Sequence, residues 1–226
     1  MDTIKSKYHE TLAATVIKNL EKRQMEGYYC PTVEDAEKLA FSFLKDGQTV
    51  SFGGSMTLEE TGMLTALRHD PSIHLIDRST AKTPDETKKM YHDALSSDVY
   101  FMSTNAITTG GELVNIDGTG NRVAALIYGP ETVVILAGMN KIAANVDEAL
   151  SRVHNVATAQ NCIRLDKKTP CAITGACADC LSPDCICNQV VITRRSGIKG
   201  RIKVLLIGES FGYKLKHPTP YWCDDP

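Results

Sequence analysis

The run TVVILAG, residues 132–138, decides the fold. Five apolar residues, Val133 to Ala137, follow one another without a polar interruption, between Gly129-Pro130 upstream and Asn140-Lys141 downstream. A strand with one wet face alternates polar and apolar residues, so an unbroken run of this length reads as a strand buried on both faces. Working outward, the chain repeats that pattern. A helix is expected over 121–128, and DVYFMS (98–103) reads as a second buried strand. Pro84 at a first helical position opens a helix to about Ser96, and IHLID (73–77) is a third strand.

Further back, QTVSF (48–52) leads into a helix from Thr57, whose T-x-x-E spacing to Glu60 matches a capping box and which Asp70-Pro71 ends. Thr32 caps a helix that carries Glu34 and Asp35 in its first turn and stops at Gly47. The first 27 residues read as one amphipathic helix with Leu12, Val16, Ile17 and Leu20 on a common side. Downstream come a helix over 146–159, a cysteine-rich stretch, and the strands QVVITR (189–194) and RIKVLLIG (201–208), joined by the turn-like Ser196-Gly197. Buried strands alternating with helices predict an α/β fold: a mostly parallel sheet with helices on both faces. The expected organisation is one domain over 1–213, with the cysteine-rich segment 162–187 inserted and a polar tail at 214–226.

Composition bounds the function. The 226 residues are 42% apolar and 23% charged, enough for a sizeable core. Lys and Arg number 25 against 27 Asp and Glu, a net charge of −2, so no basic excess points to nucleic acid. No apolar run is long enough to span a bilayer, and the N-terminal MDTIKSKYHE lacks the apolar core of a signal peptide, so a cytoplasmic location is expected.

In open parallel sheets, ligands bind beyond the carboxyl ends of the strands. That rule selects 53–57, 103–105 and 138–141. Gly53, Gly54, Ser55 and Thr57 run from a strand into a helix start, where free amides and the helix dipole favour an anion. The same residues also suit a plain tight turn, and both readings stand. The segment lacks the G-K-[ST] ending of a P-loop. Gly118-Thr119-Gly120-Asn121-Arg122-Val123 begins like a dinucleotide fingerprint but places Val123 where the third small residue belongs. No nucleotide cofactor is therefore indicated. Arg122, a cation in a helix's first turn, calls for an anionic ligand or for a partner such as Asp117. Asn105, Asn121, Asn140 and Lys141 complete the expected ligand set, and Lys141 suits an anion contact or a base. Gly208-Glu209-Ser210-Phe211-Gly212 matches a nucleophile elbow, but too little chain follows to supply the acid and the histidine.

Six of eight cysteines lie between Cys162 and Cys187. No export signal accompanies them, which favours reduced thiols over a disulfide framework. Cys177-x2-Cys180 is the strongest element of a Cys-only metal site. Zinc and an iron–sulfur cluster fit such spacing equally well.

Four runs carry a resemblance: NAITTGGELVNIDGTGNRVAALIYGP (105–130), AGMNKI (137–142), TPCAITGACADC (169–180) and RIKVLLIGESFGY (201–213). The chain resembles the lactate-utilisation (LUD) domain family from its first helix to Tyr213. The resemblance implies a fold similar to the glucosamine-phosphate isomerase, ribose-5-phosphate isomerase and CoA-transferase group. It implies metal ligands at Cys171, Cys177, Cys180 and Cys187, with Cys185 as an additional thiol. It further implies oxidation of lactate-like organic acids beside iron–sulfur or flavin redox partner proteins. The related sugar-phosphate isomerases carry an acid near the position of Asn105, and an amide cannot act as a carboxylate base. Proton transfer would then fall to Glu60, Asp117 or Lys141. The expected function is binding of a small anionic metabolite in organic-acid utilisation. An isomerase or transferase on a phosphorylated sugar or CoA ester, or a non-catalytic redox accessory subunit, are the alternatives. A homo-oligomer is left open.

Overall fold

The computed structural model describes residues 3–213, so the expected polar tail at 214–226 lies outside the described residues. Six parallel strands form the main sheet: β1 (Glu26–Cys30), β2 (Thr49–Phe52), β3 (His74–Ile76), β4 (Val99–Met102), β7 (Thr132–Gly138) and β10 (Ile202–Ile207). Their order is β1-β10-β7-β4-β2-β3. The α/β fold with a parallel sheet between helices stands as expected.

Side-chain alternation divides the core into two layers. Val133, Ile135 and Ala137 of β7, with Tyr100 and Met102 of β4, pack beneath α1 (Thr3–Lys22), α5 (Pro84–Leu95) and α6 (Asn121–Ile127). Val134 and Leu136, with Val99 and Phe101, face α2 (Val33–Phe41), α3 (Met56–Glu60) and α4 (Met63–His69). Fully burying a side chain such as Phe101 or Leu136 contributes about 1.5–3 kcal/mol. On α1, Ala13, Val16 and Leu20 recur at helical spacing and are completely covered.

Several boundaries differ from the sequence reading. The first helix ends at Lys22, and EGYYC becomes β1, parallel to β10 from Glu26↔Lys203 to Cys30↔Ile207. Long-range pairing, not local pattern, sets that strand. Gly27 allows it, because a Cβ there would stand 3.0 Å from Ile17 and Leu20 side-chain atoms of α1. The helix expected from Thr57 breaks at Gly62, whose φ of 73° leaves the right-handed helix region, giving α3 and α4. Ser55, not Thr57, is the N-cap, accepting a bond from Leu58 N at 3.3 Å, so the capping-box reading of Glu60 falls.

The glycine-rich stretch before α6 also holds strands. β5 (Ala106–Thr108), β6 (Leu113–Asp117), β8 (Ile142–Ala143) and β9 (Gln189–Thr193) form a second sheet in the order β8-β5-β6-β9. QVVITR and RIKVLLIG are therefore not neighbours: β9 runs antiparallel to β6, whereas β10 lies between β1 and β7. Ala106, Val114, Ile116, Ala149 and Val153 make this sheet's own small core, covered by α7 (Val146–Arg152).

Candidate functional site

Parallel register brings the strand ends together. Phe52 is level with Phe101, Met102 with Ile135, and Ile207 with Gly138. The chain leaving β2, β4, β7 and β10 thus emerges on one edge of the sheet. A cleft of about 510 Å³ opens there. Gly54, Ser55, Thr57, Asn105, Asn121, Arg122 and Lys141 of the expected ligand set all line it, as does Asp117. Gly53 and Asn140 do not line the cleft, nor does Glu60.

Lys141 lies at its base. A 3₁₀ turn, Met139–Lys141, follows β7 directly and sends the lysine back across the sheet edge. The side chain is buried, and Nζ donates to Thr57 Oγ1 and Ser103 Oγ, both at 2.6 Å. Burial chiefly, then the Arg152 and Arg122 charges, pull its pKa down to about 7, while Glu60 opposes them. Gly212, at φ +70°, packs beside this trio: a Cβ there would lie 2.8 Å from Thr57 Oγ1 and 3.5 Å from Lys141 Nζ.

Arg122 is held differently. Nη1 donates to Asn115 Oδ1 at 2.5 Å and Ser103 O at 3.3 Å, and Nη2 to Ile116 O at 2.8 Å and Asn105 Oδ1 at 3.0 Å. Nε lies 3.6 Å from Asp117 Oδ2. Its charge reaches the cleft, but its donors bind the β6 edge to the end of β4. Asp117 in turn braces the turn into α6, accepting from Thr119 N and Gly120 N before the helix and from Val123 N in its first turn. Both residues thus take the structural roles that stood beside the functional ones.

Glu60 accepts from Gly212 N at 2.8 Å and so anchors the segment after β10. Asn140 grips the same segment, accepting from Phe211 N at 3.1 Å and donating to Phe211 O and Tyr213 O, each at 3.3 Å. Of the elbow-like residues Gly212 lines the cleft, and Tyr213 follows it there.

Sequence reading passed over three further groups. Arg78, just past β3, lines the cleft; its Nη1 donates to Tyr91 Oη at 3.2 Å, and its Nη2 lies over Gly54 where a Cβ would stand. The strand-end rule applied to IHLID would have found it. Arg152 ties three loops by donating to Asn105 O at 2.7 Å, Tyr213 O at 2.6 Å and Asn140 O at 3.1 Å, and burial lowers its pKa to about 10. A π-helical turn, Val153–Thr158, separates α7 from α8 (Ala159–Arg164) and places Thr158, Asn161 and Arg164 on the rim.

The cysteine segment forms the opposite lip. Pro183, Asp184, Cys185 and Ile186 line the cleft, and Ile186 packs on Gly118, where a Cβ would sit 3.2 Å from its side chain. Cys162 and Cys171 share an apolar contact with Ala159, and burial pushes the Cys162 thiol up to about 11. Cys187 donates its thiol proton to Thr158 Oγ1 at 3.8 Å, and Cys177 lies 3.6 Å from His154 Nδ1. Among the described residues no group of three or more cysteine, histidine or carboxylate side chains is gathered to hold a metal ion. The expected ligands Cys171, Cys177, Cys180 and Cys187, with or without Cys185, are thus not drawn together as their side chains are placed here.

Comparison with known proteins follows this geometry. The LUD domain family model matches residues 13–207. Among solved structures, a DUF162 family protein from Deinococcus radiodurans aligns over 88% of this chain and 98% of its own at 11% identity, with a TM-score of 0.50. The tetrameric eIF2B-beta2-delta2 complex from C. thermophilum aligns over 76% of this chain and 55% of its own, at 16% identity and a TM-score of 0.40. Ribose 5-phosphate isomerase A from Methanocaldococcus jannaschii aligns over 57% and 60%, at 18% identity and a TM-score of 0.32. The first likeness concerns the fold alone, and the other two are weaker still. No curated protein matches. No described helix is long and apolar enough to cross a membrane.

Proposed function

This chain belongs to the LUD domain family, and from that membership we propose that it serves organic-acid utilisation of the lactate type, holding a small carboxylate-bearing metabolite in the strand-end cleft. One observation supports the reading above the rest. The cleft is lined by the cations Arg78, Arg122, Arg164 and Lys167, against the acids Asp117 and Asp184, of which Asp117 is already spent on the start of α6 and Arg122. Such a basic hollow concentrates anions, and low-dielectric walls strengthen each charge within it.

Within the cleft the residues divide the work. Arg122 supplies charge while its donors fix the floor; Arg78 Nη2 carries no hydrogen bond to the described residues and is the cation best placed to take a carboxylate. Asn105 spends its side-chain oxygen on Ile116 N and Arg122, so its amide hydrogens are what it offers a ligand.

Thermal shift and calorimetry with L-lactate, pyruvate, phosphate and the uncharged 1,2-propanediol test the reading. Stabilisation by the two carboxylates and none by the diol is expected. Stabilisation by phosphate and sugar phosphates but by neither carboxylate would replace it with an isomerase or transferase of phosphorylated sugars.

A further inference from the structure

We propose that Lys141 is an amine nucleophile that condenses with the ketone of a 2-oxo acid held in the cleft, an inference that rests on the organic-acid reading above. The geometry about Nζ is the starting point. The Ser103 hydroxyl donates to Leu136 O at 2.6 Å, so toward the lysine it can only accept. Thr57 Oγ1 takes a second N–H at the same distance. With Cε, these occupy three tetrahedral directions of the nitrogen. The fourth carries either the third proton or the lone pair.

The surroundings favour the lone pair. No carboxylate among the described residues pairs with Nζ: the ion pairs of the site run from Arg122 to Asp117, and Glu60 is bonded to Gly212 N. A buried lysine kept for stability needs an acid beside it, because a lone ammonium is costly to desolvate. Lys141 has two neutral hydroxyls and two nearby guanidinium charges instead, which is how a lysine is made nucleophilic at neutral pH. It also lines the cleft, and the bare Gly212 keeps a side chain from crowding Nζ.

The step balances without a redox partner. The Nζ lone pair forms a bond to the ketone carbon and a carbinolamine results. Both amine hydrogens leave with the former ketone oxygen as water, and a carbon–nitrogen double bond remains. A 2-hydroxy acid has no ketone, so it binds in the same place without reacting. The cleft would thus distinguish the two oxidation states of one carbon skeleton by covalent capture.

Trapping tests this on the full chain. The protein is incubated with pyruvate and sodium borohydride, then weighed intact and mapped by peptide mass spectrometry. The expected result is one adduct on the Lys141 peptide, heavier by pyruvic acid less one oxygen atom, with no adduct from L-lactate. Lys141→Arg should lose the adduct. The peptide map of the unsubstituted protein decides the matter even where that variant does not fold. Pyruvate that stabilises the protein but leaves Lys141 unmodified overturns the inference and spares the organic-acid reading. An adduct spread evenly over surface lysines overturns it too. Failure of both acids to bind overturns the organic-acid reading itself, and the inference with it.

Discussion

Lys141 Nζ donates to Ser103 Oγ at 2.6 Å, linking the ends of β7 and β4 across 38 residues of sequence. Because Ser103 passes its own hydrogen to Leu136 O, the chain of donors has a fixed direction and ends on the β7 backbone. A mild change at either end is thus felt in the sheet as well as in the cleft.

The first expectation concerns pH. The folded Lys141 titrates near 7, well below its ordinary 10.5. Between those values the unfolded chain binds a proton that the folded chain has released, so stability rises with pH, by at most about 1.4 kcal/mol per pH unit. Below about pH 7 both states hold the proton and this slope disappears. Raised thiols such as Cys30, at about 11, tilt stability the other way above the ordinary thiol range. The clean window is therefore about pH 7 to 8.5. Urea unfolding there should show a rising stability that Lys141→Met lacks; equal slopes would contradict the buried-lysine assignment.

Asp117 offers a second test, on stability. Its carboxylate accepts from Thr119 N and Gly120 N in the turn before α6 and from Val123 N in the helix's first turn, and faces the Arg122 guanidinium, both side chains being about one-tenth exposed. Asp117→Ala removes these acceptors and leaves a buried cation half-compensated, a loss of about 3–5 kcal/mol. Asp117→Asn keeps one acceptor oxygen and should lose less. Chemical denaturation of both variants measures the difference, and an alanine variant as stable as the parent would remove the ion pair from the account.

Two arginines should separate binding from folding. Arg78→Ala is expected to weaken carboxylate binding about tenfold or more while unfolding changes little, since its one hydrogen bond to the described residues is to Tyr91 Oη. Arg122→Ala should instead destabilise the fold, because it removes four hydrogen bonds, to Ser103 O, Asn105 Oδ1, Asn115 Oδ1 and Ile116 O, and the charge that faces Asp117. Calorimetry and thermal melts on the two variants check this; the reverse pattern would assign the ligand contact to Arg122.

Glu60 gives a fourth expectation. Glu60→Gln retains an acceptor for Gly212 N but removes the one charge that raises the Lys141 pKa. The onset of the pH-dependent stability gain should therefore move to lower pH, with the melting temperature near neutral pH little altered. An onset unchanged from the parent would mean that Glu60 acts on the wall of the cleft alone.

Much of this was legible in the sequence because the strands announce themselves. TVVILAG and DVYFMS carry unbroken apolar character, and the carboxyl-end rule then led to Thr57, Asn105 and Lys141 without coordinates. What stayed hidden depends on pairing at a distance. EGYYC is too short and too mixed to stand out from the helix before it, and only β10 makes it a strand. β5 and β6 were masked by glycine and by polar residues that the second sheet buries, among them Asn115. The roles of Arg122 and Asp117 could be narrowed to two readings but not decided, because the partners of the guanidinium come from the chain that leaves β4 and from β6, which only the fold brings together. The cysteine segment could be read as an insertion but not placed; Pro183, Asp184, Cys185 and Ile186 line the cleft, and Ile186 packs on Gly118.

The strand order has a bearing on how the molecule comes into being. Among the described residues β1 has β10 as its one neighbour in the sheet, and β10 is the last of the described strands to leave the ribosome. Until that strand emerges, the earliest strand of the chain has no mate, and β7 presents a bare flank to whatever is nearby. Synthesis of this protein therefore leaves two naked ribbon edges waiting for one late insertion, and a chain cut short before residue 202 keeps both.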